Sequence, residues 1–141
     1  YELFELYFPG SSWNPTTELK ASTDYENFYG RKNYASATVG GYYATRLPIL
    51  KYLDSIRRQA SVVVIRLEPP TYWASLGVWV VRESVKKAIA NGFRMFNSKE
   101  ELIDAANKIG KVKYNFDYSD ILVRSKLLKN LREQTRLIDW F

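Results

Sequence analysis

The run Ser61-Val62-Val63-Val64-Ile65-Arg66-Leu67-Glu68, stopped by Pro69-Pro70, is the clearest strand in the chain. Branching at Cβ restricts a side chain in a helix and packs well on a pleated surface. The lack of polar alternation predicts burial on both faces, and hence a central position in a sheet. Covalent help is excluded, because the chain has no cysteine for a disulfide or a zinc–thiolate site. Histidine is absent too, which removes Ser–His and Cys–His nucleophile pairs and the commonest transition-metal ligand. Four Trp, eleven Tyr and seven Phe in 141 residues supply the bulk for a core. No apolar run approaches the roughly 18 residues of a membrane span, so no membrane contact is expected. The chain opens at Tyr1 on Glu2-Leu3-Phe4 with no charged n-region or cleavage site, which predicts no signal peptide and a piece of a longer protein.

Around that strand, Glu2 to Phe8 reads as a second strand, ended by Pro9-Gly10. Residues 13–40 read as loops with short elements. Gly40-Gly41 offers tight or left-handed backbone ahead of an amphipathic helix over about 44–58, with Ile49, Leu53 and Ile56 on one face. Pro48 fits that helix only in its first turn, and Arg57-Arg58 complement its C-terminal dipole. A second helix is predicted over about 76–90, with Val78, Val81, Val85 and Ile89 inward and Asn91-Gly92 as its cap. Phe93 to Phe96 is a candidate short strand. Ser98-Lys99-Glu100-Glu101 is a capping box for a third helix, with Leu102, Ala106 and Ile109 inward and Gly110 at its end. A strand over 111–118 and a last helix from Ser119-Asp120 to about Leu131 complete the pattern. The expected fold is mixed α/β: a single compact domain over 1–131, with a small central sheet flanked by about four helices, and a peptide-motif tail at 132–141.

Charge is uneven. Residues 1–30 hold one base (Lys20) and five acids, net −4, so residues 31–141 hold twenty bases and ten acids, net +10. A basic surface attracts phosphates, and DNA is the expected partner; an unpartnered solvated surface fits the same numbers.

The last eight residues, Gln134-Thr135-Arg136-Leu137-Ile138-Asp139-Trp140-Phe141, resemble the motif by which replication and repair proteins bind the sliding clamp PCNA. In one turn of 3₁₀ helix, residues i and i+3 share a face. Leu137 and Trp140 then stand together with Phe141 beside them, a three-pronged apolar plug, while the Gln134 amide serves a separate polar niche. Burying each large prong is worth roughly 1.5–3 kcal/mol before ordering costs. The competing arrangement folds the same three side chains onto the domain's own core.

Internal stretches, read with that tail, are similar to the C-terminal domain of the archaeal Nre family of DNA repair proteins. They are Tyr29-Gly30-Arg31-Lys32-Asn33-Tyr34-Ala35, Gly40-Gly41-Tyr42-Tyr43-Ala44-Thr45-Arg46, Val63-Val64-Ile65-Arg66, and Tyr72 to Glu83. The likeness is clearest over 25–131. Ser75 stands where the family pattern leads one to expect proline. The family's N-terminal half, with its cysteine zinc-finger-like motif, is not in this chain. The resemblance implies a role in repairing damaged DNA, recruitment by PCNA through the C-terminal octad, and a cytoplasmic, nucleoid-associated location. It supplies no known reaction.

Candidate chemistry centres on Arg66, Arg82 and Glu83. An arginine inside an apolar strand needs an anion, either a carboxylate such as Glu83 or Glu68 or a phosphate. Arg46 can join Arg66 and Arg82 in a basic pocket with Tyr42, Tyr43 and Tyr72, and Arg31 and Lys32 are further phosphate contacts. The same tyrosines suit an ordinary core. Carboxylates are plentiful, but none has a recognisable metal-ligand spacing, and neither a cofactor motif nor a catalytic motif is evident. Three functions fit: a repair accessory protein on the clamp, an enzyme acting on DNA or a nucleotide through an Arg/Tyr/Glu pocket, and a pure protein-interaction module.

Overall fold

A computed structural model describes residues 1–72 and 77–133. The architecture is mixed α/β, as expected, with three strands and five helices among the described residues. They divide into two compact units, one over residues 1–92 and one beginning at Phe93.

The first unit contains β1 (Glu2–Tyr7), β2 (Lys20–Tyr25), α1 (Val39–Ser55), β3 (Val63–Glu68) and α2 (Val78–Ala90). Its sheet has the order β2-β1-β3, with β1 antiparallel to β2 and parallel to β3. The central strand is therefore β1, not the valine-rich β3, which lies at an edge and is mostly half-buried. The β-branched run reports strand propensity; the middle place goes to the strand paired on both sides. In β1, Leu3, Phe4 and Leu6 are almost wholly buried. The other edge strand, β2, lies inside the stretch read as loop, because Lys-Ala-Ser-Thr-Asp-Tyr carries no apolar alternation and is held by its ladder to β1.

Helix α1 starts at Val39, well before the expected residue 44, so Pro48 sits in its interior and is buried there. The early start has two causes. Asp24 on β2 accepts hydrogen bonds from the Ser36, Ala37 and Thr38 amides and from the Thr38 hydroxyl, which fixes the turn ahead of the helix. Gly40 and Gly41 are helical residues, and their missing side chains let Val78 and the Glu5 carboxylate press against the helix; a Cβ at Gly41 would overlap Glu5 Oε1. At the other end, Arg58 N–H donates to Leu53 O and Arg57 N–H to Asp54 O, a Schellman closure with Arg57 at φ +50°.

The second unit contains α3 (Lys99–Tyr114), α4 (Ser119–Val123) and α5 (Lys126–Glu133). The capping box forms: Ser98 Oγ accepts from Glu101 N–H, and Glu101 Oε2 accepts from Asn97 N–H. The predicted strands at 93–96 and 111–118 are absent. Helix α3 instead runs through Gly110 to Tyr114 and stops at left-handed Asn115. Gly110 is needed as the surface on which the returning chain lies, since a Cβ there would fall 2.7 Å from both Phe116 O and the Tyr118 ring. That contact turns Gly110 inward and leaves Leu102 and Ile109 exposed, against expectation. The predicted last helix is two, because Ser125 caps a new start: its Oγ accepts from Leu128 N–H at 3.0 Å. Tyr118, Ile121, Leu122, Leu127 and Leu128 are buried.

Candidate functional site

On one face of the sheet, the side chains of Leu3, Glu5 and Tyr7 alternate along β1. The parallel register sets Val64, Arg66 and Glu68 of β3 opposite them in turn. Two charged residues, each embedded in an apolar strand, thus become neighbours. Arg66 Nη1 donates to Glu5 Oε1 at 2.8 Å and Nη2 to Glu68 Oε2 at 3.0 Å. Tyr7 completes the group, its hydroxyl donating to Glu5 Oε2 at 2.6 Å. Glu5 and Glu68 are 4% and 1% exposed, and the pairing with Arg66 offsets the cost of burying them. Burial first, and then the bond to the Glu5 carboxylate, push the Tyr7 phenol above its ordinary pKa, so it remains a donor.

Glu5, Tyr7 and Arg66 of this cluster line a pocket of about 360 Å³. One wall is the first turn of α1 at Val39, Gly40 and Gly41; another is the start of α2 at Gly77, Val78 and Val81. Trp13 and Tyr72 stand on its lining from two loops that Ser12 joins, its hydroxyl donating to Tyr72 O at 3.4 Å. Among the described residues no group of carboxylates is arranged to hold a metal ion.

The remaining candidates go elsewhere. Arg46 donates to Glu26 Oε1 at 2.7 Å. Arg31 bonds Asp24 at 3.2 Å and the carbonyls of Tyr25, Asn33 and Tyr34, and lies 5.2 Å from the centre of the Tyr42 ring. Burial alone would raise the Asp24 carboxyl, yet the hydrogen bonds from Thr38, Ser36 and Ala37 bring it below the ordinary value. Tyr42 is fully buried in a cluster with Leu3 and Ala35, and Tyr43 accepts from Ala35 N–H. Lys32 is exposed. Arg82 and Glu83 pair with each other at 3.4 Å on the exposed side of α2, where Glu83 also takes Lys86 at 2.8 Å. The Lys86 contact, followed by Arg82, holds the Glu83 carboxyl below its ordinary pKa. Of the predicted site residues, then, Arg66 and Tyr72 line one pocket, and Arg46 and Arg82 are paired with other carboxylates. Gln134, Leu137, Trp140 and Phe141 lie outside the described residues. Sequence reasoning missed Glu5, Tyr7 and Trp13. The signal for Glu5 was present, a carboxylate flanked by Phe4 and Leu6 and as anomalous as Arg66 in its own strand.

The family model for archaeal Nre, C-terminal, matches residues 26–140. The DNA repair protein NreA of Archaeoglobus fulgidus is 41% identical over 108 residues, covering 77% of this chain and 27% of that protein. The DNA repair protein NreB of the same organism is 36% identical over 136 residues, covering 96% of this chain and 33% of that protein. The DNA repair protein NreA of Haloferax volcanii is 43% identical over 90 residues, 62% of this chain and 21% of that protein. The chain thus spans about a third or less of the length of these relatives. No solved structure matches it.

Proposed function

The chain belongs to the archaeal Nre C-terminal family, and on that premise we propose that it acts in DNA repair as an accessory module recruited to the sliding clamp PCNA. The observation that carries the recruitment is the octad Gln134 to Phe141, with its glutamine, aliphatic and paired aromatic residues at clamp-motif spacing. The relatives' names support the repair role. The excess of +10 over residues 31–141 supports direct contact with DNA, and exposed Lys32 is the simplest phosphate contact. A clamp encircles duplex DNA, so a weak contact from a tethered basic module gains from high effective concentration. The proposed location is the cytoplasm, at the nucleoid. Among the described residues no helix is long and apolar enough to cross a membrane.

The test is the double substitution Leu137→Ala with Phe141→Ala. Affinity for PCNA should fall by tenfold or more, as expected when two plug side chains are lost (roughly 1.5–3 kcal/mol each). The melting temperature should hold within about a degree. Unchanged affinity, or a large loss of stability, contradicts the proposal.

A further inference from the structure

The pocket over Glu5 and Arg66 is not used by clamp recruitment or by phosphate contact, and its chemistry is specific. Its volume of about 360 Å³ lies within the roughly 300–1,000 Å³ usual for small-ligand sites. The pocket lining carries the Glu5 carboxylate paired with the Arg66 guanidinium, a neutral pair with no excess positive charge to attract a phosphate. What the pair offers is a donor beside an acceptor. A guanidinium has five N–H groups, and Arg66 uses two of them on Glu5 and Glu68. A carboxylate has about four lone-pair sites, and Glu5 receives one bond on each oxygen, from Arg66 and from Tyr7. The walls at Gly40, Gly41 and Val78 are smooth and apolar, and two aromatic rings stand at Trp13 and Tyr72. Trp13 is 64% exposed, so its ring is accessible to a stacking partner.

We infer that this pocket is a binding site for a single flat nucleobase that presents a carbonyl acceptor next to N–H donors, with guanine making the fullest set. Arg66 donates to the base carbonyl, Glu5 accepts from the adjacent ring N–H and amino group, and Trp13 and Tyr72 flank the ring. The base comes either from a free nucleoside or nucleotide, or from a residue turned out of DNA; only the second source rests on the DNA-repair reading.

The experiment titrates the chain with guanosine, adenosine, cytidine and thymidine, then with a DNA duplex carrying one unpaired guanine and with its fully matched counterpart. Glu5→Gln and Trp13→Ala are titrated in parallel. Trp13→Ala keeps the test open should Glu5→Gln fail to fold, because an exposed ring can be removed without opening the core. Guanosine should bind most tightly. Glu5→Gln should weaken it by roughly tenfold or more, as for loss of a charged hydrogen-bond acceptor, and Trp13→Ala by at least roughly fivefold, as for loss of a stacking ring. Preference for the unpaired-guanine duplex assigns the base to DNA; guanosine binding without that preference assigns it to a free nucleotide. No nucleoside binding, no order among the four, or wild-type affinity in Trp13→Ala overturns the inference. Salt-dependent binding of the matched duplex, if retained, leaves the DNA-contact reading standing.

Discussion

Arg57 holds a left-handed backbone conformation at the end of α1 in the place where glycine is the usual occupant. An L side chain there costs roughly 1–2 kcal/mol. Arg57→Gly should therefore stabilise the fold by roughly 0.5–1 kcal/mol after the added chain entropy of glycine is subtracted, and raise the thermal midpoint by a few degrees. A lower midpoint would mean the arginine makes a compensating contact. Asp24 is a second residue with a definite sign. Its folded carboxyl pKa is depressed, so its contribution is complete above the ordinary carboxylate value and drains away as pH falls through the lower folded value. Asp24→Asn should cost about 2 kcal/mol at pH 7, and the gap to wild type in urea melts should narrow steadily below about pH 4. A gap independent of pH would contradict the assignment. At this scale a part of the pocket was legible, Arg66 and Tyr72. Arg66 in an apolar strand demanded an anion, a carboxylate or a phosphate, and Glu68 is one of its partners. Glu5, the other partner, is sixty-one residues away, and only the parallel register of β1 with β3 makes it a neighbour.

Elements were legible where local chemistry decides and illegible where a distant contact does. The capping box at Ser98 and the end of α2 at Asn91-Gly92 follow from side chains and backbone within one turn. Gly110 and Gly41 read locally as breakers, yet both lie inside helices because another segment needs the space of a Cβ. Gly110→Ala isolates that effect. Alanine is the better helix former by roughly 1 kcal/mol, but the overlap with Phe116 O is with backbone and cannot be relieved by a rotamer change. The substitution should destabilise the second unit by roughly 1–3 kcal/mol, measured by hydrogen exchange of α3 amides. Slower exchange would show that the chain after Asn115 does not need this closeness. The order of the sheet was hidden for a related reason: composition separates strand from helix, whereas pairing on both sides of β1 is a property of three segments together.

Across the molecule, charge and its distribution bear on the DNA contact. With net +10 over residues 31–141, the logarithm of affinity for duplex DNA should fall linearly with the logarithm of salt concentration. A flat response in a filter-binding or anisotropy titration would separate the basic surface from any role on DNA and leave the chain as a protein-interaction module. The proposal as a whole turns on the clamp. The direct measurement is a calorimetric titration of PCNA with the intact chain and with a version that ends at Glu133. The intact chain should bind and the shortened one should lose tenfold or more in affinity. Equal affinity of the two would contradict recruitment through the octad.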